Sequence, residues 1–201
     1  MKVRSKQLTA QSDIEKHSKL ETGENTSFKA WFAGSKIRDE FGRPQPMYHG
    51  TYLDFDAFAA DHVFHCLTPD PVVAELHAED SYAFFKNKPS ASIIIMPLYV
   101  RAIKPFDPRL SECIALMEEW ELGGPSSYRY AEWEILEDLE VVARIRLLGF
   151  DGIWMREEEE YKYLAVFHPR QLKSAIGNSG RFNPESDSLT DPQEGEFTET
   201  R

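Results

Sequence analysis

Asp39-Glu40-Phe41-Gly42-Arg43-Pro44-Gln45-Pro46-Met47-Tyr48-His49-Gly50-Thr51 is the stretch whose reading decides the fold of this chain. Asp39 to Pro44 has the aspartate, glycine and proline of a turn and delivers the chain into a strand expected around Pro46 to His49. That strand runs out in Tyr48-His49-Gly50-Thr51. A residue without a Cβ at this point suits a backbone that something else must approach closely. Taken alone, the four residues also read as an ordinary strand end followed by a turn.

Working outward, Phe28, Trp31 and Phe32 fall at i, i+3 and i+4, which predicts a short amphipathic helix with Ser27 as its cap and Gly34 as its stop. Asp70-Pro71 opens a helix carrying Val72, Val73, Leu76 and His77, with proline in the first turn, where its missing N–H does no harm. Ser92 to Val100 is nearly all apolar and predicts a strand covered on both faces, with Pro97 marking a bulge or an edge. A long helix is expected from about Tyr130 to Leu148, its stripe formed by Trp133, Leu136, Leu139, Val142, Ala143 and Leu147, with Gly149 ending it. Gly152 to Met155 and Tyr163 to Phe167 read as two strands joined by an acidic loop, Arg156 to Lys162. Gln171 to Ala175 reads as a strand leading to a turn at Gly177-Asn178. The class is α+β, with a mixed or mainly antiparallel sheet.

An apolar content of 41% in 201 residues is enough for one domain with a sizeable core. Residues 1–26 and 184–201 are poor in large apolar side chains, so both are expected to be flexible tails around a domain at 27–183. No apolar run approaches the ~18 residues of a membrane span, and the first residues offer no apolar signal core. A cytoplasmic protein without a membrane partner is the expectation. The net charge of −11 argues against tracking a nucleic-acid backbone by bulk electrostatics. Cys66 and Cys113 are too few for a disulfide framework. His62, His65, Cys66 and His77 are metal-ligand types, but no second paired cluster closes a tetrahedral shell, and no metal is expected.

Four ordered stretches carry a resemblance. They are Phe28-Lys29-Ala30-Trp31-Phe32 with Ser35-Lys36; Asp39 through Gly42-Arg43-Pro44 into Tyr48-His49-Gly50-Thr51; Asp54-Phe55-Asp56-Ala57-Phe58; and Phe167 through Gln171 to Asn178 with Gly180 and Phe182. Together they resemble the ADP-ribosyltransferase domain of polyvalent proteins from phages and mobile elements, similar in fold to the diphtheria-toxin and poly(ADP-ribose) polymerase group. The resemblance implies a split mixed or antiparallel sheet with flanking helices. It also implies NAD as substrate, transfer of ADP-ribose with release of nicotinamide, and a macromolecular acceptor, a protein being favoured over nucleic acid. A toxin or effector role, with delivery into a host or target cell, is in keeping with such a family.

Breaking the nicotinamide–ribose bond passes through an oxocarbenium-like state, so the site must hold the ring, grip the ribose and exclude water. By resemblance, His49 hydrogen-bonds a ribose hydroxyl, Gly50 meets the nicotinamide amide, and Tyr48, Thr51 and Thr68 complete the binding site. Where the family has a stacking tyrosine before Thr68, this chain has Phe64, His65 and Cys66, so Phe64 or His65 is left to present a ring face. His77 stands near the second aromatic position. The glutamate of the related polymerases falls at or beside Tyr163; Glu160 is the nearest carboxylate, and Gln171 is the other polar candidate for ribose. Lys162 and Tyr163 would border the acceptor. A binding module of the same fold, impaired in turnover, is the alternative these departures leave open.

Overall fold

The computed structural model describes residues 25–84, 92–120, 138–157 and 161–192. Among them are four helices, α1 (Thr26–Phe32), α2 (Pro71–Phe84), α3 (Ser111–Glu119) and α4 (Leu139–Leu147). The strands are β1 (Met47–Thr51), β2 (His65–Leu67), β3 (Ile94–Val100), β4 (Pro105–Phe106), β5 (Gly152–Glu157), β6 (Tyr161–Val166) and β7 (Leu172–Ser174). They form two sheets, ordered β1-β3-β7 and β2-β6-β5-β4, antiparallel throughout except for the parallel β4–β5 pair. This is the α+β class with mixed and antiparallel sheets that the sequence predicts.

Period-two alternation along the strands sorts the side chains into three cores. Met47, Leu98, Val100 and Leu172 of the first sheet meet Leu67, Leu164 and Val166 of the second in an inter-sheet core. On the outer face of the second sheet, Ile153, Met155, Tyr163 and Ala165 pack against Val73 of α2, Cys113 and Met117 of α3, and Val141, Val142 and Ile145 of α4. On the outer face of the first sheet, Tyr99 meets the α1 aromatics Phe28, Trp31 and Phe32 together with Phe182. The α1 stripe is the one the spacing predicts. Its cap is Asn25, whose Oδ1 accepts from Phe28 N at 2.9 Å, so the helix begins before Ser27.

Several expectations need correction. Pro97 lies in the central strand β3, and no β1 bond is lost there, because Tyr48 opposite it directs its N–H and C=O away to Thr68. The Pro97 carbonyl still accepts from Ala175 N at 2.9 Å. The predicted long helix is capped at Asp138, whose carboxylate accepts from Glu140 N and Val141 N. The buried face also differs from the predicted stripe. Val141, Val142 and Ile145 are buried, whereas Leu139 is 60% and Leu147 85% exposed; residues 121–137, with Trp133 and Leu136, lie outside the described ones. Arg156 and Lys162, expected in a loop, are paired in the β5–β6 ladder, which extends to Glu157 opposite Tyr161.

The chain beyond residue 183 also packs, contrary to the expected tail. Leu189 is 1% and Asp191 5% exposed. Lys173 of β7, itself fully buried, directs its ammonium at the Ser186 and Ser188 carbonyls and at the Asp191 carboxylate 2.9 Å away. Leu189 sits in the inter-sheet core and its carbonyl accepts from Ser174 N at 2.8 Å. Residues 1–24 and 193–201 are outside the described residues.

Candidate functional site

Among the described residues, the backbones of the two sheets are bridged where β1 passes the end of β2. Tyr48 N donates to Thr68 O at 2.7 Å and Thr68 N to Tyr48 O at 3.0 Å. In an antiparallel ladder the next such pair lies two residues on in each strand, which would join Gly50 to Cys66. That pair does not form. The Cys66 carbonyl instead accepts from His49, whose Nδ1 lies 3.0 Å away. Because a carbonyl only accepts, Nδ1 carries the proton, and Nε2 is left as the nitrogen with a lone pair.

The alternation also decides where Gly50 points. Tyr48 turns its peptide groups away from β3, so Gly50, two residues later, does the same. The Gly50 N–H and C=O therefore face the split between the sheets, and no turn, loop or cap hydrogen bond among the described residues uses them. These peptide groups lie outside the β1–β3 ladder, beside an imidazole acceptor.

The missing side chain of Gly50 has another cause than the one the sequence suggests. A Cβ there would lie 1.8 Å from the Ala74 carbonyl oxygen and 3.1 Å from the Ala78 Cβ. It is α2, packed across β1, that excludes any larger residue. Glycine is thus required by the helix, and the close approach it permits is made by protein.

His49 is walled by aromatics. Its ring centroid is 4.9 Å from that of Phe58 and 6.3 Å from that of Phe55, both edge-on. Burial holds its pKa below the ordinary histidine value; the bond to Cys66 O opposes the shift, and the nearby His77 adds to it. The ring is accordingly neutral near pH 7. Beneath Phe58 lies His65, 4.8 Å from it and only 3% exposed, with a buried Nε2 that has no hydrogen-bond partner. Burial, reinforced by His62, His49 and His168, takes its pKa down to about 4. His65 is enclosed by Phe58 and His62 and does not present the free ring face that the sequence reading gives it. Phe64 packs half-buried against the core under α2.

The other candidates divide. Thr68 is buried, and its hydroxyl accepts from Asp70 N at 3.3 Å; the Thr51 hydroxyl accepts from Leu53 N at 3.0 Å. Tyr48 is buried as well, and the backbones of the two residues bridge the split. Gln171, expected to reach ribose, is committed to protein. Its Oε1 accepts from Phe167 N and His168 N at 3.1 and 2.9 Å, and its Nε2 donates to Arg101 O and Asp151 O at 3.1 and 2.7 Å. Two donors and two acceptors exhaust the amide. Gln171 rivets the ends of β3 and β6 to the start of β5.

Tyr163, at the position where a carboxylate is expected, is 3% exposed and lies with its ring 4.8 Å from that of His77, edge to face. The His77–Tyr163 pairing is a feature that sequence reasoning missed, since its members sit 86 positions apart on α2 and β6. Glu160 falls between Glu157 and Tyr161, outside the described residues. Burial pushes the Cys66 thiol up to about 12 and raises that of Cys113. Among the described residues no three His, Cys, Asp or Glu side chains converge as a metal site, and no helix is long and apolar enough to cross a membrane.

A pair of mixed and antiparallel sheets flanked by helices, with a histidine–glycine step in β1 beside the split, is the α+β arrangement to which the ordered motifs point. The model of a family described as ADP-ribosyltransferase in polyvalent proteins matches residues 39–182, and the chain belongs to that family. The match runs from the Asp39 turn through β1 and the split to Phe182. No curated protein and no solved structure matches the chain.

Proposed function

We propose that the protein is an NAD-dependent ADP-ribosyltransferase, which releases nicotinamide and transfers ADP-ribose to a macromolecular acceptor, a protein in preference to nucleic acid. The observation that carries this reading is the interrupted ladder. His49 takes the Cys66 carbonyl that Gly50 would otherwise use, which leaves the Gly50 N–H and C=O for an amide such as that of nicotinamide. The same bond fixes the tautomer that turns an Nε2 lone pair toward an incoming ribose hydroxyl.

In the reaction, the bond between ribose C1′ and the nicotinamide nitrogen breaks and its electron pair leaves with nicotinamide. The acceptor's nucleophile then bonds to C1′ and gives up its proton. His49 and Gly50 would orient the two sides of the breaking bond, and Thr51 would border the ring. The developing cation calls for a carboxylate, and Glu160 is the candidate. An acidic surface suits a protein acceptor better than a polyanion; the setting we infer is cytoplasmic, whether in the producing cell or in a target cell. Tyr163 at the expected carboxylate position and the committed Gln171 amide favour a second reading, a module that binds NAD with impaired turnover.

Incubation with NAD, following nicotinamide release by chromatography and the melting temperature in parallel, separates these readings. Release abolished by His49→Ala supports the transferase, and sensitivity to Glu160→Gln locates the carboxylate. Stabilisation by NAD without release supports the binding module. Neither effect would overturn both.

A further inference from the structure

The wall that holds His49 is anchored from an unexpected direction. Phe55 and Phe58 lie on the loop after β1, and their rings pack on each other at 4.9 Å as well as on His49. Asp56, between them in sequence, is exposed and faces away from that contact toward the C-terminal segment. Its carboxylate accepts from the Ser188 and Thr190 hydroxyls and from Thr190 N at 3.1 Å, while its carbonyl accepts from Leu189 N at 2.6 Å. Ala57 and Ser188 form a β-bridge at the same place.

The segment that receives these bonds is itself held from β7. Lys173 grips Ser186, Ser188 and Asp191, and Ser174 N and Asn178 Nδ2 both donate to Leu189 O. A continuous path of contacts thus runs from the far edge of the first sheet, through the strap at residues 186–191 and Asp56, to Phe55 and Phe58, and so to the ring of His49. The Phe58 ring also rests on His65 of β2, the strand whose Cys66 carbonyl holds His49, so the strap supplies the second side of the wall.

We propose that Asp56 is a positioning residue for His49: by tying the Phe55–Phe58 wall to the 186–191 strap, it keeps the imidazole in the one orientation that satisfies Cys66 O and turns Nε2 to the ligand. The proposal rests on the reading of His49 as the NAD-binding histidine, but the tie itself is measurable without NAD. A carboxylate is suited to the task because one oxygen accepts from the Thr190 hydroxyl and amide and the other from the Ser188 hydroxyl, whereas an asparagine removes the charge that strengthens these bonds and forces Ser188 Oγ, which already accepts from Asp191 N, to reverse and accept a second donor.

The full chain, labelled with ¹⁵N in its histidines, reports the state of His49 directly, since a protonated Nδ1 and an unprotonated Nε2 give distinct shifts. Asp56→Asn and Phe58→Leu should both move the His49 signals toward the averaged values of a freely exchanging ring. If nicotinamide release is established, Asp56→Asn should lower kcat/KM about tenfold and shift its acid limb toward the ordinary histidine value, with the melting temperature within a few degrees of wild type. Thr190→Val, which keeps its shape and removes one hydroxyl, should give a smaller change of the same kind and carries the test should Asp56→Asn not fold. His49 signals unchanged in a folded Asp56→Asn or Thr190→Val protein, while Phe58→Leu moves them, would overturn the proposal. Wild-type protein that releases no nicotinamide and is not stabilised by NAD defeats the NAD reading instead, and the His49 signals still decide the tie.

Discussion

Replacing Gly50 with alanine distinguishes a glycine kept for a helix from a glycine kept for a ligand. The added methyl would meet the Ala74 carbonyl oxygen at 1.8 Å, about 1.2 Å short of even the 3.0 Å that real Cβ atoms essentially never undercut. The obstacle is a backbone atom inside α2, so no rotamer change relieves it, and β1 and α2 must separate. Overpacking of this kind costs about 1–3 kcal/mol, and a backbone obstacle places the cost near the upper end, about 3 kcal/mol. For a chain of this size that corresponds to a fall of roughly 6–12 °C in melting temperature. Thermal unfolding followed by circular dichroism, at matched concentration and pH, measures it. Ala74→Gly should not rescue the variant, because the clashing oxygen remains. A Gly50→Ala protein that melts with the wild type but no longer responds to NAD would refute the reasoning and return the glycine to the ligand.

Two further outcomes follow from buried charge. Lys173→Met leaves the Asp191 carboxylate buried without its partner, which should cost about 3–5 kcal/mol and open residues 184–192 to limited proteolysis; an unchanged cleavage pattern and melting temperature would show that the strap is held otherwise. Burial takes the His65 pKa down to about 4, below the ordinary histidine value of 6.5, so between these values the unfolded chain binds the extra proton. Its contribution to stability is complete above pH 6.5 and is lost progressively as the pH drops toward 4. Melting curves from pH 4 to 7 should show this loss, and His65→Phe should flatten it; an equally steep profile in the variant would assign the effect elsewhere.

Local chemistry was legible in the sequence because its causes lie within a few residues. Pro71 opens α2 where a missing N–H is harmless, Phe28, Trp31 and Phe32 form one face of α1, and left-handed Gly149 follows α4, all as the spacing predicts. The ordered motifs around Tyr48 to Thr51 were likewise sufficient to identify the family. Capping and phase were less secure: Asn25 displaced Ser27, and the buried face of α4 falls on Val141, Val142 and Ile145, because neighbouring polar residues can all cap and only packing selects the face that is buried.

Tertiary structure alone decided what the site residues do, because their partners are remote in sequence. Gln171 looked like a ribose ligand until four backbone groups from three segments claimed its amide. Pro97 looked like an edge residue until Tyr48 turned its own peptide groups toward Thr68. The polar residues after position 183 looked like tail until Lys173, at zero exposure, required a carboxylate and carbonyls to surround it. The sequence by itself determined the class, the family and the His49-Gly50 step. The fold determined that this step opens into the split, since whether a peptide group is spent in a ladder or left for a ligand depends on which strand lies beside it.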